Sequence, residues 1–491
     1  MTVSKKQQSS FHRRVYPLDA HDLTEEQIAV AFAMTSRRPE PFDEIAQQVS
    51  QEKAADFNER WVLGYGHASV AEHAVLHLAV ENISRVACDA LEDNRLASYT
   101  EKSSRYQLMP QGYFHVPQEL TGEPALADLF RETCNKLFHG YRDLLDGCTN
   151  YLQGRNPRRK GERESVYNLR LRREATDSCR AVLPAATLTN VGVTANARVL
   201  EHAISKLMSS EVAEERSLGE EIREQGRSIT PTLIKYADQN QYLMGAAQIQ
   251  QDLALRYAGE VSPAAPSKST DSGPGEVPWC VRLVHWDEQA EEKLAAGLLY
   301  RRSQQSYQYV WRHVMEMGVE NRREIIRRCV EDMGDHDAPV RELELVDYTF
   351  EFLMDYGAYR EFKRHRLQSY IPQLLTVDHG YQVPKLMAEA GLESRFHDTM
   401  GAAEDAFRQV QESSPQAAQY LVTHAHNRRV LSKMNLRECY HLFKLRTSEL
   451  AHFSIRQPMI EAMRLAVGTH PALFQHLKLR DYPDWWRAAG S

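Results

Sequence analysis

The side chains best able to do chemistry in this sequence are arginines set in short polar motifs. One motif is the tripeptide Arg364-His365-Arg366, and another is the segment Glu101-Lys102-Ser103-Ser104-Arg105-Tyr106. Arg180 lies three residues before a Leu-Pro pair. The planar guanidinium fork meets phosphate oxygens through two parallel hydrogen bonds, which a lysine ammonium cannot do. Arg105 and Arg180, helped by Ser103, are therefore suited to hold an anionic group such as a phosphate.

Several polar patterns also have simpler interpretations. Arg364-His365-Arg366 could be a solvated basic face, and Glu101 could pair with Arg105 one helical turn away. Ser69-x-x-Glu72 fits a helix capping box as well as a ligand contact. The basic stretch at 155–173 interleaves few aromatic residues, which favours a mobile, solvated insertion over a nucleic-acid site. His424-x-His426 lacks a carboxylate at ligand spacing, so no metal site is predicted.

The elements that must position these residues are mostly helices. Helical spacing predicts helices from a capping box at Thr24 to Ala33, over 200–222 and over 287–333. Short strands are predicted at 75–80, 348–353 and 442–445.

Composition limits the class of protein. The 491 residues carry 60 Lys and Arg against 67 Asp and Glu, and this net charge of −7 gives no global reason to expect nucleic-acid binding. No apolar run approaches the ~18–20 residues of a membrane span, and no apolar stretch follows the basic N-terminus. Seven cysteines without a CxxC pair argue against a disulfide framework. We therefore expect a cytoplasmic protein with no membrane contact.

The chain contains an internal repeat. Residues 261–278 are rich in Pro, Ser and Gly, which predicts a linker between a first part, 1–260, and a second part, 279–491. Arg95-Leu96-Ala97-Ser98-Tyr99 matches Arg366-Leu367-Gln368-Ser369-Tyr370, and Asn196-Ala197-Arg198 matches Asn435-Leu436-Arg437. The first repeat carries about 32 extra residues, which we assign to a basic insertion at about 144–173.

The motifs of the first half occur in an order that resembles the flavin-dependent thymidylate synthases. That family has a GHxxxxEH segment, an RHR-x7-S signature ending in SxRY, an RxxLP turn and an NxR helix start. Here these correspond to Gly66–His73, Arg95–Tyr106, Arg180–Pro184 and Asn196–Arg198. The second half keeps Arg364-His365-Arg366, Asn435-Leu436-Arg437 and Arg446. The resemblance implies an α+β fold with two tandem domains of this family, each helix-rich with a small, mostly antiparallel sheet.

The two halves depart from the family pattern at complementary positions. The first half keeps Ser103, Arg105 and Arg180, but it has Asp93 and Asn94 where the signature begins. The second half keeps the signature and Arg446, but the positions that correspond to the kept residues hold Leu374, Thr376 and Gln419. The resemblance implies that the family builds each site from several subunits of a homotetramer. We therefore expect one intact composite site made by both halves, and a homodimer that mimics the tetramer.

The resemblance also implies a role for each matching residue. The expected nucleotide-binding residues are Glu101, Ser103, Ser104, Arg105, Arg180 and Arg446. The expected FAD-binding residues are His67, Ser69, Glu72, Asn196, Arg198, Arg364, His365, Arg366, Asn435, Arg437 and His441. Arg364 and Arg446 are the expected catalytic residues. For Asn196 and Asn435, simple helix capping is an equally good interpretation.

The activity implied by the resemblance is the reductive methylation of dUMP to dTMP. FAD would carry the hydride chemistry, methylenetetrahydrofolate would supply the one-carbon unit, and NADPH would be the reductant. Two alternatives stay open. Lys102 and Glu361 stand where the family more often has glutamine, which favours a related flavoenzyme acting on another pyrimidine nucleotide. The losses from the family pattern favour a non-catalytic protein that binds flavin or nucleotide.

Overall fold

The computed structural model describes residues 16, 18, 22–36, 38–63, 68–257 and 280–482. His67 and the predicted linker at 261–278 lie outside these residues, so the division of the chain at 260 and 278 stays a prediction. The described part is helix-rich with two small antiparallel sheets, which confirms the α+β fold class. No helix in it is long and apolar enough to cross a membrane.

The elements up to residue 257 include a three-stranded sheet. Its strands are β1 (Val75–Ser84), β2 (Ser98–Glu101) and β3 (Leu188–Asn196), in the order β1-β3-β2. The α-helices are α1 (Glu25–Met34), α2 (Phe42–Gln48), α3 (Gln51–Phe57), α4 (Arg85–Leu91), α5 (Pro124–Arg155), α6 (Glu164–Cys179), α7 (Ala197–Met208), α8 (Ala213–Ile229) and α9 (Gln241–Tyr257).

The elements from residue 280 onwards include a four-stranded sheet. Its strands are β4 (Val281–Trp286), β5 (Asp347–Asp355), β6 (Gln368–Pro372) and β7 (Asn427–Asn435), in the order β4-β5-β7-β6 with antiparallel neighbours. The helices are α10 (Ala290–Ser303), α11 (Tyr307–Glu316), α12 (Val319–Val330), α13 (Tyr356–Phe362), α14 (Lys385–Glu389), α15 (Glu393–Ser413), α16 (Pro415–Ala418), α17 (Leu436–Arg446), α18 (Phe453–Thr469) and α19 (Pro471–Phe474). Alternate residues of β5 are buried, as expected for a strand with one face on a core.

The structure separates correct element predictions from wrong ones. Thr24 caps α1 with both hydrogen bonds of a capping box, and β1 and β5 contain the predicted strands. The predicted strand at 442–445 is wrong, because these residues belong to α17. The predicted helix at 200–222 is interrupted between α7 and α8. The segment 287–333 forms three helices, because Gln304 takes a left-handed conformation after α10 and Gly318 begins α12.

The chain forms two compact units that do not follow the predicted repeats. One unit contains residues 1–80, 94–100 and 191–249, and the other contains 81–93, 101–190 and 250–491. The second unit therefore includes chain from both halves of the sequence. Within it, Ala185 N–H donates to the Val422 carbonyl at 2.7 Å, and His424 N–H donates to the Leu183 carbonyl at 3.1 Å. These residues occupy matching repeat positions, so the two copies exchange reciprocal hydrogen bonds, as a twofold arrangement requires.

Helices α5 and α15 pack closely where α5 has glycine. A Cβ added to Gly140 would lie 2.6 Å from Cγ2 of Thr399, and one added to Gly147 would lie 2.8 Å from Leu392. The predicted basic insertion forms the last turns of α5 and most of α6. The basic side chains at 155–160 lie at the end of α5 and in the connection to α6 and are exposed as expected, whereas Leu152 of α5 and Leu171 of α6 are buried in a core.

Candidate active site

Glu101, at the end of β2, is buried among arginines. Its carboxylate accepts hydrogen bonds from Arg85 and Arg360, and its Oε2 lies 3.2 Å from Nη2 of Arg364. Burial alone would raise the pKa of Glu101, but the charges of the three arginines outweigh burial and hold its pKa well below the ordinary value. Glu101 is therefore ionised, and the expected alternative of a simple pair with Arg105 is wrong.

The three arginines expected to bind the nucleotide meet around the carboxylate of Glu361. Nη1 of Arg446 lies 3.1 Å from its Oε2, while Nη2 of Arg180 and Nη1 of Arg105 lie 3.6 and 3.8 Å from its Oε1. We call Arg105, Arg180 and Arg446 the arginine clamp. Two of its members come from the first half of the sequence and one comes from the second, so the structure brings residues of both halves together.

Asp177 fixes the orientation of Arg105 within the arginine clamp. Its two carboxylate oxygens accept from Nε and Nη2 of Arg105 at 2.8 and 2.9 Å, in a bidentate pair. Burial would raise the pKa of Asp177, but hydrogen bonding to His452 and the charges of His452, Arg105 and Arg180 hold it well below the ordinary value. Ser104, also an expected ligand residue, accepts from Nη1 of Arg180 at 3.4 Å.

Several guanidinium N–H groups in this region have no hydrogen-bond partner. Among the described residues, Nε and Nη2 of Arg85 and Nη2 of Arg180 are buried and unpartnered. A buried donor without a partner costs ~1–3 kcal/mol. The cluster therefore keeps donors for an anion, which fits a phosphorylated ligand.

His365 joins the clamp to a neighbouring cavity. Its Nε2 lies 2.9 Å from Nε of Arg446, and its Nδ1 lies 3.0 Å from Oε1 of Glu438. Burial lowers the pKa of His365, partly offset by Glu438. The buried ring shows that the interpretation of Arg364-His365-Arg366 as a solvated face is wrong for His365, although both arginines are exposed.

The cavity beside His365 contains five of the residues expected to bind FAD. Its volume is about 640 Å³, within the ~300–1,000 Å³ common for ligand sites. The five expected residues are Arg364, His365, Arg366, Arg437 and His441. Apolar side chains such as Leu367 and Leu477 share the lining with Lys444 and Lys478. Apolar walls beside several cations suit a flavin nucleotide, which combines a flat ring system with a diphosphate.

Four of the remaining expected FAD residues, Ser69, Glu72, Asn196 and Arg198, lie in the unit that contains α1, whereas Asn435 lies in the other unit and His67 is outside the described residues. Ser69 sits inside the 3-10 helix Ala68–His73 and lines a cavity of about 290 Å³ with Phe32 and Trp61. The predicted capping box at Ser69 is wrong, because Ser69 is not at the N-cap and Glu72 pairs with Arg198.

The two expected asparagines cap helices at equivalent places in the repeats. Oδ1 of Asn196 accepts from Val199 N–H at 3.0 Å at the start of α7, and Oδ1 of Asn435 accepts from Glu438 N–H at 2.9 Å at the start of α17. The capping interpretation is therefore confirmed for both. Each side-chain amide group still has N–H donors for another partner.

The positions that mirror the composite set are filled by ion pairs. Buried Lys363 pairs with Asp89, which also accepts from Arg428 at 2.9 Å. Asp93, which replaces the first signature arginine, accepts from the hydroxyl of Tyr370 at 3.0 Å. At the place of the second clamp arginine, Gln419 accepts from Leu375 N–H at 3.4 Å. Asp89, Asp93 and Gln419 thus offer carboxylates and an amide at the positions that correspond to Arg360, Arg364 and Arg180.

Cys88, Glu92 and Glu101 place possible metal-ligand atoms within 4.8 Å of one another. Burial raises the pKa of the Cys88 thiol well above its ordinary value, so the thiol stays protonated. Lys363 lies 3.5 Å from Glu92, and arginines surround Glu101. A protonated thiol and two neutralised carboxylates do not suit a metal cation, so we assign no metal role to this trio.

Sequence reasoning missed several members of the site. Arg85, Arg360 and Asp177 contact expected ligand residues, and His452 contacts Asp177, but none of the four was an expected site residue. A signal existed for Arg360, which stands four residues before Arg364, and for Asp177, which stands three residues before Arg180. Neither Arg85 nor His452 stands three or four residues from an expected site residue, so this spacing could not have indicated them.

Comparison with known proteins assigns the chain to a family. A model of the thymidylate synthase complementing protein family matches residues 18–232 and 282–472. The chain belongs to this family. The two successive matches confirm the resemblance to flavin-dependent thymidylate synthases and the tandem architecture.

Relatives within the thymidylate synthase complementing protein family fall into two kinds. The UPF0159 protein of Chlamydia muridarum is 31% identical over 448 residues, covering 88% of this chain and 82% of the relative. A UPF0159 protein of Thermoplasma acidophilum is 29% identical over 469 residues, covering 89% of this chain and 91% of the relative. The flavin-dependent thymidylate synthase of Clostridium tetani is 25% identical over 214 residues, 43% of this chain and 82% of that enzyme. The first kind spans both repeats, while the second is about as long as one.

Proposed function

We propose that this protein is an FAD-dependent enzyme that methylates a uridine nucleotide at one composite site, with the conversion of dUMP to dTMP as its first candidate reaction. The observation that carries the proposal is the convergence of Arg105 and Arg180, from the first half, with Arg446, from the second, within 4 Å of one carboxylate. Loss of function would not be expected to preserve residues of both halves in one place.

Each group of residues has a distinct task in this proposal. The arginine clamp, with Ser103 and Ser104, holds the nucleotide phosphate. Arg364, His365, Arg366, Arg437 and His441 hold the flavin, and Ser69, Glu72, Asn196, Arg198 and Asn435 are proposed as further flavin contacts. Bound FAD supplies hydride transfer. His365 orients Arg446 through the 2.9 Å hydrogen bond, and Arg364 and Arg446 are the proposed catalytic residues.

The proposal includes two co-substrates and an assembly. One dUMP, one methylenetetrahydrofolate, one NADPH and one proton would give dTMP, tetrahydrofolate and NADP⁺. NADPH is oxidised, and the transferred methylene carbon is reduced to the methyl group. We further propose a cytoplasmic homodimer, in which four repeats take the place of four subunits. A stable monomer by light scattering would contradict the dimer.

A second candidate is a related flavoenzyme that acts on another pyrimidine nucleotide. The observation that favours it is Glu361, a carboxylate within the clamp where the family more often has an amide. A change from amide to carboxylate alters both the hydrogen bonding and the charge presented to a ligand.

The test begins with the visible spectrum of the purified protein. We expect bound FAD, its reduction by NADPH, and tritium release from [5-³H]dUMP with methylenetetrahydrofolate. Arg105→Ala and Arg364→Ala should each abolish nucleotide-dependent flavin oxidation, while Arg464→Ala, in an exposed pair with Glu461, should not. A protein that cannot be loaded with FAD would refute both enzyme candidates. Flavin oxidation with another pyrimidine nucleotide but not with dUMP would select the second.

A further inference from the structure

The carboxylate of Glu361 lies between the three guanidinium groups of the arginine clamp, to which the proposed function assigns phosphate binding. Its side chain, near the C-terminus of α13, is almost fully buried. Both carboxylate oxygens are engaged, Oε2 with Arg446 at 3.1 Å and Oε1 with Arg180 and Arg105 at 3.6 and 3.8 Å. Its main-chain carbonyl also accepts from Nη2 of Arg446 at 3.3 Å. Glu361 is thus fixed to the clamp by its side chain and its backbone.

A ligand that binds the arginine clamp has little room to avoid the carboxylate of Glu361. Nε and Nη2 of Arg105 are committed to Asp177, so its Nη1, which faces Glu361, is the part left for a ligand. Arg180 presents its unpartnered Nη2 to the same carboxylate. A phosphate that uses these donors must therefore come close to a fixed negative charge.

The energetic consequence depends on the charge of the ligand. The repulsion between two charges is proportional to their product, and it is weakly screened in a partly buried site. A phosphate monoester carries about two negative charges at pH 8, a phosphodiester carries one and a nucleoside carries none. A carboxylate in the clamp therefore penalises a monoester about twice as strongly as a diester, and leaves a nucleoside unaffected.

We propose that Glu361 is a specificity-determining residue that weakens the binding of a doubly charged 5′-monophosphate more than that of a pyrimidine nucleotide whose phosphate carries a single negative charge. It thereby narrows the preference for the dianion that the three guanidinium groups create. This inference rests on the proposed function, because it takes the clamp as the phosphate site. It deepens that proposal by stating how the site responds to the charge of its substrate. A glutamine at the same position would keep the shape of the site and remove the penalty.

The test compares three ligands that differ in charge: deoxyuridine, the 5′-phosphate methyl ester of dUMP, and dUMP. Binding to the full-length, FAD-loaded protein is measured by calorimetry at pH 8 and constant ionic strength. Because the guanidinium groups still attract the dianion more strongly, we expect the wild type to bind dUMP more tightly than its methyl ester, but by less than tenfold. In Glu361→Gln, the affinity for dUMP should rise at least tenfold, that for the ester about threefold, and that for deoxyuridine should not change. Glu361→Ala should give the same ranking if the glutamine variant folds poorly.

The matched control is Glu351→Gln, which removes the same charge from a pair with Arg429 on the sheet and should leave all three affinities unchanged. The inference is overturned if the wild type prefers dUMP to its ester by tenfold or more, or if Glu361→Gln binds dUMP no more tightly. Equal gains for all three ligands would also overturn it, because they would indicate a steric effect. If the affinities follow the charge of the ligand but no ligand causes flavin oxidation, the proposed function is refuted and this inference stands. If none of the three ligands binds, both the proposed function and this inference are refuted.

Discussion

The Nε–H of Arg446 donates a 2.9 Å hydrogen bond to Nε2 of His365. Because arginine has no acceptor, Nε2 must be unprotonated, and the ring proton lies on Nδ1, where it faces Glu438 at 3.0 Å. The lowered pKa of buried His365 agrees with a neutral ring. The order Glu438, His365, Arg446, Glu361 therefore forms one hydrogen-bonded chain from the floor of the large cavity to the arginine clamp.

Replacing Arg446 by lysine tests this chain directly. Lysine keeps the positive charge but loses both the Nε–H that reaches His365 and the guanidinium fork. We expect a ~10–100-fold loss of affinity for the pyrimidine nucleotide, since hydrogen bonds to charged groups contribute ~1.5–3 kcal/mol. Calorimetry on the FAD-loaded protein measures the loss. Arg464→Lys, on the exposed surface of α18, should change nothing, and an equal loss there would contradict the interpretation.

Replacing Glu101 by glutamine should destabilise the fold strongly. The change leaves buried Arg85 and Arg360 without their common carboxylate. Removing one partner from a buried ion pair costs ~3–5 kcal/mol. Urea denaturation followed by circular dichroism would give the difference in the free energy of unfolding. The control Glu461→Gln breaks an exposed pair and should cost at most ~1 kcal/mol. A loss below 1 kcal/mol for Glu101→Gln would show that the arginines find other partners.

Acidification should destabilise the protein through His424. Burial lowers the pKa of His424 well below its ordinary value, and the charges of Arg360, Arg85 and Arg180 lower it further. Below about pH 6.5 the unfolded chain takes up a proton at this residue while the folded chain does not, so stability falls as the pH falls. The contribution should reach about 1 kcal/mol at pH 5.5.

The comparison for this pH effect is between the wild type and His424→Gln. The free energy of unfolding of the variant should fall less between pH 7.5 and 5.5 than that of the wild type. His139→Gln, which alters an exposed histidine on α5, should follow the wild type. Parallel curves for all three proteins would mean that His424 takes up its proton equally in both states.

Two glycines of α5 should respond in opposite directions to alanine. A Cβ on Gly140 would lie 2.6 Å from Thr399 of α15, whereas a Cβ on Gly154 has no neighbour within 4 Å among the described residues. We expect Gly140→Ala to destabilise the protein by ~1–3 kcal/mol through overpacking. Gly154→Ala should stabilise it by ~0.5–1 kcal/mol through helix propensity. Thermal unfolding measures both, and stabilisation by both would show that α5 and α15 can move apart.

Local sequence motifs predicted many of the helices and strands and the three arginines of the clamp. The capping box at Thr24 fixes α1, and the alternating residues of β5 fix a strand, because each pattern depends on neighbours in the chain. The strand predicted at 442–445 was wrong because that prediction also used only neighbouring residues. Three apolar residues and one lysine over four positions fit a strand or a helix equally well, and only the cap at Asn435 reveals α17.

The ion pairs around the clamp could not be found in this way. Lys363 and Asp89 are 274 residues apart, and Arg360 and Glu101 are 259 apart. Their pairing depends on how the two repeats face each other, which no local pattern encodes. Complementary losses in the two halves predicted that such a meeting must exist, but not that Glu361 would occupy its centre.

The buried pairing of Asp89 with Lys363 and Arg428 has a consequence for the history of the chain. Rebuilding a second clamp would need arginines at Leu207, Thr376 and Gln419 and the removal of Asp89. Removing Asp89 alone would leave buried Lys363 and Arg428 without this partner, at a cost of ~3–5 kcal/mol. Single substitutions therefore cannot restore the second site without a loss of stability, and the change after duplication is effectively irreversible. Equilibrium titration should saturate at one pyrimidine ligand for each 491-residue chain.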